Sequence, residues 1–263
     1  MKNDKFVESF NHLQELLFFD SYDAKLDRYR SSHVYRGLDC IEYDLKTSLM
    51  RLGGPYQNLE RHMLRNFKKY AHRNAVQGDS VWNWLAVAQH HGLPTRLMDW
   101  TYSPYVALHF ATSDIRDFNN DGVIWCINYV KSNQYLPDPL QTIIQDEGSN
   151  VFTAAMLDGV CDSLKKLEIL QKELFVLFLE PPSLDDRIVN QHALFSMMST
   201  ATAHMDDWLN QNPDLYFRIV IPAKLKWEIR DKLDQANITE RVLFPGLDGL
   251  SDWLKRQYSS KQS

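Results

Sequence analysis

The sequence predicts an α+β protein, a single compact domain with a mixed or antiparallel sheet and flanking helices. Strand-like runs are scattered among helical ones without a regular βαβ series. No Pro- or Gly-rich linker divides the 263 residues, and no internal repeat is visible. The first 32 residues read as an N-terminal helical extension, residues 33–254 as the domain itself, and residues 255–263 as a polar tail.

Phe6, Phe10, Leu13 and Leu17 recur at helical spacing and predict an amphipathic N-terminal helix. The run His33 to Leu38 (HVYRGL) sets β-formers around Arg36 before Gly37, a strand that delivers one arginine to its end. After the turn Gly53-Gly54-Pro55, Leu59, Met63, Phe67 and Ala71 repeat every fourth residue and predict a helix, with His62 and His72 facing solvent. Val81, Trp84, Leu85 and Ala88 mark one buried helical face that Asp79 or Ser80 caps, Gly92 ends and Pro94 cannot continue. A loop from Pro94 to Pro104 leads to a second buried helix carrying Val106, Ala107, Phe110 and Ala111.

Asn119 to Gly122 is a turn signal before a strand over Val123 to Tyr129. Pro137 to Asn150 reads as loop, and Val151 to Leu170 as a helix weakened by Gly159. Leu174 to Leu179 (LFVLFL) is an all-apolar run suited to a strand buried on both faces. A helix follows around Met205 to Leu209, then a strand over Leu215 to Ile221 and a helix on Leu225, Ile229 and Leu233. The reading closes with a strand over Ile238 to Phe244 and a C-terminal helix bearing Trp253 and Leu254, capped by Ser251.

Composition narrows the function. Hydrophobic residues at 44% and charged ones at 24% describe an ordinary globular chain. A net charge of -5 without long charge runs gives no electrostatic reason for nucleic-acid capture. No stretch reaches the roughly 18 apolar residues of a membrane span, and the N-terminus lacks the apolar core of a signal peptide, so the cytoplasm is the expected location with no membrane partner. Cys40, Cys126 and Cys161 are three in number and widely spaced, which indicates buried thiols rather than disulfides or a zinc site. No phosphate-cradling Gly-x-x-x-x-Gly-Lys, no Gly-x-Gly-x-x-Gly and no Gly-x-Ser-x-Gly elbow occurs. Adjacent His90 and His91 diverge on a helix, and no carboxylate completes a metal-binding pair, so no metal is expected.

The stretch Val81 to Ser113 gathers more polar chemistry than a turn requires and is the expected floor of the site. Arg96 and Asp99 are read either as an internal ion pair or as ligand contacts.

Tyr35-Arg36-Gly37, the block Gln89-His90-His91-Gly92-Leu93-Pro94-Thr95-Arg96-Leu97-Met98-Asp99-Trp100-Thr101, Ser103-Pro104, Ala107 to Ala111, and Leu243-Phe244-Pro245 with Asp248-Gly249 together resemble the FRG-domain family, over about Val34 to Leu254. Met98 stands where a leucine is common, and Ala193 after Gln191-His192 where the family often has glycine. The pattern is in turn similar to a distant ADP-ribosyltransferase fold. There an arginine on the first strand, a Ser/Thr-x-Ser/Thr segment before a helix and a glutamate on a later strand surround nicotinamide adenine dinucleotide (NAD). That resemblance implies Arg36, Ser103 and Glu240 as catalytic residues, with Tyr35, Gly37, His90, Arg96, Asp99, Trp100 and Thr101 around a bound NAD substrate.

Chemistry assigns the roles under that resemblance. A carboxylate, Glu240 or its rival Glu180, would stabilise the oxocarbenium-like centre formed when nicotinamide leaves ribose. Arg36, or Arg96, offers a planar fork to a pyrophosphate. Thr101 and Ser103 would orient ribose or the glutamate, Trp100 or Tyr102 would stack on a ring, and His90 would meet ribose hydroxyls. Two expectations stand side by side. One is an NAD-using ADP-ribosyltransferase or NAD glycohydrolase, a toxin-like or phage-defence effector whose protein or nucleic-acid acceptor is not specified. The other is a module that binds a nucleotide or phosphorylated ligand without cleaving it. Oligomeric state has no signature in the sequence.

Overall fold

A computed structural model of the chain describes residues 3–71, 79–182 and 185–260. Among these residues the strands are β1 (Asp4–Phe6), β2 (Tyr22–Asp23), β3 (Arg28–Tyr29), β4 (His33–Leu38), β5 (Met98–Thr101), β6 (Gly122–Asn128), β7 (Val176–Leu179), β8 (Ala193–Met198) and β9 (Tyr216–Ile221). Seven of them make one sheet in the order β1-β9-β6-β4-β5-β8-β7, and β2 with β3 forms a separate hairpin. β1 runs parallel to β9, and every other pair in the sheet is antiparallel. The architecture is mixed α+β, as the scattered strands predict.

The α-helices are α1 (Phe10–Leu17), α2 (Tyr56–Tyr70), α3 (Val81–His90), α4 (Pro104–Phe110), α5 (Tyr129–Ser132), α6 (Asp138–Asp146) and α7 (Ala154–Val160), then α8 (Leu164–Glu168), α9 (Asp186–Asn190), α10 (Met205–Gln211), α11 (Lys226–Gln235), α12 (Glu240–Leu243) and α13 (Leu247–Gln257). Successive strand residues point to opposite faces. Val34, Val123 and Trp125 therefore join a cluster with Trp208 and Leu209 of α10, while Tyr35, Ile124 and Cys126 join one with Leu13 of α1, Ala107 and Leu108 of α4 and Ile229 of α11. A third cluster packs α3, α6, α7 and α8 against Leu177, Leu179, Phe195 and Met197. Because helices cover both faces, β6 reads as a nearly continuous apolar run and β9 as one interrupted only by Arg218, which Asp4 pairs, rather than as alternating strands.

Several elements differ from expectation, each for a local reason. Phe6 ends β1 instead of opening a helix, and Ser9 caps α1 through the His12 amide. Met98 to Thr101, read as loop, is a strand inside the sheet whose ladder to β8 supplies the pairing its composition does not advertise. The segment read as loop after Pro137 holds α6, where Pro139 sits in the first turn and needs no amide partner, and Leu140 and Ile144 bury one turn apart. Val151 to Leu170 is two short helices separated around Cys161. Ile238 to Phe244 contains helix α12 rather than a strand, and Ser251 lies inside α13, which opens after Gly246. His62 is exposed as expected; His72 lies outside the described residues.

Candidate functional site

β4 pairs along its whole length with β6 but meets β5 at one register position, Tyr35 with Thr101. Beyond that point the two strands part. Arg36 and Gly37 on one side and Asp99 and Trp100 on the other line a pocket of about 230 Å3 in the resulting split. Gly37 is what lets α4 close one wall: a Cβ there would lie 1.8 Å from the Ala107 carbonyl oxygen and 2.6 Å from the Ala111 amide nitrogen. The glycine of the Tyr35-Arg36-Gly37 motif is thus a close-approach residue.

Arg36 is half-buried. Its Nη1 donates to the Asp99 carbonyl oxygen at 2.6 Å, bridging the split where ladder bonds stop. Its Nε is shielded from solvent and has no partner among the described residues. Burial draws the guanidinium below its ordinary pKa, the Asp99 carboxylate pulls it back up, and Arg51 again disfavours the charge. An arginine remains cationic at neutral pH through such a shift. The Asp99 carboxylate is exposed and accepts from Gln89 Nε2 at 3.0 Å, while Gln89 Oε1 accepts from Thr95 Oγ1 at 2.6 Å. The Gln89 side chain therefore orients the acid that faces the pocket.

Helix α9 forms the opposite wall with Arg187, and Gln191 follows it. The Arg187 guanidinium lies 5.0 Å from the Phe244 ring centroid, and Phe244 stands edge-on to Phe110 of the pocket wall at 6.1 Å. α9 is tied down at both ends. Asp185 caps it through the Ile188 amide and meets His90 Nε2 at 2.7 Å. At the other end Asn190 and Gln191 donate to the Val242 and Leu243 carbonyls, and the Gln191 carbonyl accepts from Thr101 Oγ1 at 2.7 Å.

The residues expected at the site divide accordingly. Arg36, Gly37, Asp99, Thr101, Tyr35 and Trp100 line the pocket. The Tyr35 hydroxyl is buried and shares a hydrogen bond with Ser31; burial pushes it up to about 12 against that bond. The Trp100 ring is core, with Nε1 donating to Ser196 Oγ and its edge against Phe178, which leaves it no face for a ligand. Ser103 is the N-cap of α4, accepting from the Val106 amide. His90 lies outside the lining, on Asp185.

Arg96 is elsewhere too. The ion pair considered for Arg96 and Asp99 does not form, because Arg96 is buried between Glu60 and Glu168, with Nε 2.7 Å from Glu60 Oε2 and Nη2 2.8 Å from Glu168 Oε1. Burial would lower its pKa, but the Glu60 carboxylate wins and raises it. Glu240 is likewise outside the lining. It starts α12 buried, held by Arg256 Nε at 2.6 Å and Nη2 at 2.7 Å, with Arg230 Nη2 at 3.8 Å. Burial raises the carboxyl, yet the Arg256 bonds and the Arg230 charge override it and hold it at about 2. The neighbouring Arg241 does not take part and lies over the Trp253 ring. Glu180 is exposed after β7.

Arg187 and Gln191 line the pocket and have no motif of their own; only the sequence Gln191-His192 hints at them. Among the described residues no group of three His, Cys, Asp or Glu is placed to hold a metal. No helix of the described residues is long and apolar enough to cross a membrane.

No curated protein and no solved structure is significantly similar to the chain. A family model does match, the FRG domain, over residues 31–120. That span includes β4 with Arg36 and Gly37, the Gln89 to Thr101 block and the wall of α4, and stops short of Arg187 and Gln191. The split between β4 and β5, with its glycine-dependent wall, is accordingly built by the segment, residues 31–120, that matches the FRG domain.

Proposed function

We propose that the pocket between β4 and β5 binds a nucleotide through its phosphates, with NAD the foremost candidate. The observation that carries this reading is Arg36, a cation lining the pocket whose buried Nε has no partner among the described residues. A buried donor without an acceptor is costly, and a phosphate oxygen would satisfy it with a charge-assisted bond. Arg187 supplies a second guanidinium across the pocket, and Asp99 and Gln191 supply acceptors and donors suited to ribose hydroxyls. The Phe110 ring offers apolar contact to a base. At about 230 Å3 the pocket admits part of a dinucleotide, so the remainder would lie along the surface beside α9.

Thermal denaturation with NAD, ADP-ribose, ADP, AMP and adenosine tests this. The phosphorylated ligands should raise the melting temperature by mass action, adenosine should not, and Arg36→Ala should remove the shift. No shift with any phosphorylated ligand would end the proposal.

A second reading is turnover: an NAD-dependent ADP-ribosyltransferase or NAD glycohydrolase acting in the cytoplasm as a phage-defence or toxin effector. The order of Arg36 on β4, Thr101 on β5 and Ser103 at the start of α4 favours it. Its weak point is the carboxylate. Glu240 would have to leave Arg256 to reach ribose, whereas Asp99 already lines the pocket. Nicotinamide release from NAD separates the two: loss in Glu240→Gln supports a mobile Glu240, loss in Asp99→Asn supports Asp99, and no release by wild type leaves binding as the function.

A further inference from the structure

Sharing no residue with the lining of the Arg36 pocket, α2 and α8 leave between them an apolar groove of about 550 Å3. Partly exposed Val81 and the buried Leu64 and Leu164 form its floor, and Arg61, Arg65 and Lys68 of α2 and Lys165 of α8 surround them. Positions 61, 65 and 68 fall at i, i+4 and i+7, so the three cations share one helical face. Lys68 is engaged, with Nζ 2.7 Å from Asp79 and over the Trp84 ring. Arg61, Arg65 and Lys165 make no ion pair among the described residues.

This arrangement is unfavourable in isolation. Like charges at i, i+4 destabilise a helix by a few tenths of a kcal/mol, and the cluster stands out on a chain whose net charge is -5. Three buried arginines elsewhere are matched to carboxylates, Arg96 to Glu60, Arg218 to Asp4 and Arg256 to Glu240. We propose that the groove docks an acidic peptide segment of a partner protein, with apolar side chains seated between α2 and α8 and carboxylates on Arg61, Arg65 and Lys165. Charge complementarity selects the acidic partner, and the aliphatic floor selects side chains over a nucleic acid, since it offers no ring face on which a base could stack.

Random-peptide display on the immobilised full chain tests the assignment, with the Arg61→Glu, Arg65→Glu, Lys165→Glu triple variant as the counter-target. All three positions are exposed, so the variant should melt with the wild type. Recovered peptides should combine Asp or Glu with spaced Leu, Ile or Phe and bind the variant about tenfold or more weakly. Failure to enrich peptides, enrichment without acidic residues, or equal binding to wild type and variant would overturn the proposal. So would tight capture of a single-stranded oligonucleotide or of phosphatidylserine vesicles that the recovered peptides do not displace.

Discussion

Arg36 and Gly37 are neighbours with separate tasks. Gly37 brings α4 against β4, and any side chain there would press on the backbone of Ala107 and Ala111, which cannot rotate away. Gly37→Ala should therefore cost about 3 kcal/mol or more, at or beyond the usual range for overpacking, and urea unfolding should show it; unchanged stability would refute the close approach. Arg36→Lys should leave stability nearly intact yet weaken nucleotide binding about tenfold, because an ammonium cannot reproduce the guanidinium fork. Arg36 was legible in the sequence as a lone arginine before a glycine in a run of β-formers, although β4 continues through Gly37 to Leu38 instead of ending there. Glu240 was not: a carboxylate in Thr239-Glu240-Arg241 looks the same whether it faces a ligand or an arginine sixteen residues downstream, and only the fold brings Arg256 onto it.

Among the elements, α9 decides how open the pocket is. Five residues long, it has little intrinsic stability and depends on Asp185, Asn190 and Gln191 for its position. Asp185→Ala removes both the cap and the His90 contact, and should lower stability by only about 1 kcal/mol. It should nevertheless weaken ligand binding several-fold by releasing Arg187, as titration calorimetry would register; unchanged affinity would show that α9 is held without it. Long periodic segments such as α2 and α3 were legible from spacing, and β6 and β9 from their apolar runs. β5 and α12 are four residues each, too short for a period to declare itself. β-Branched Ile238 and Val242 favoured a strand at α12, where helix packing against α13 prevails.

Across the whole molecule, the Asp234, Glu240, Arg230, Arg256 and His109 network joins α11, α12 and α13 to α4, the helix that walls the pocket. Arg256→Ala would leave two carboxylates facing Arg230 alone, and should cost about 3–5 kcal/mol. Acid should act on the same network in two stages. Burial and the Arg230 charge hold His109 at about 3, so the unfolded chain takes up a proton there that the folded chain cannot, and stability falls as pH drops below 6.5. Glu240, held at about 2 against an ordinary 4.5, contributes stability on the order of 3 kcal/mol above pH 4.5 that is lost as pH falls from there toward 2. Melting temperatures from pH 8 to 3 should decline gently and then steeply, with His109→Gln flattening the first stage; a flat profile to pH 4 would contradict this. The α+β class was legible from the sequence, whereas the splitting of the sheet between β4 and β5 was not, because it depends on which strands are neighbours.

Binding at that split is tested most directly by the arginine side-chain Nε–H signals in a proton–nitrogen correlation spectrum, recorded while ADP-ribose and then NAD are titrated in. The Arg36 signal, assigned by its absence in Arg36→Lys, should shift strongly and become protected from exchange with water as a phosphate oxygen accepts from it. An Arg36 signal unmoved by saturating nucleotide, or moved no more than those of Arg61 and Arg65, which do not line the pocket, would contradict phosphate recognition by this pocket.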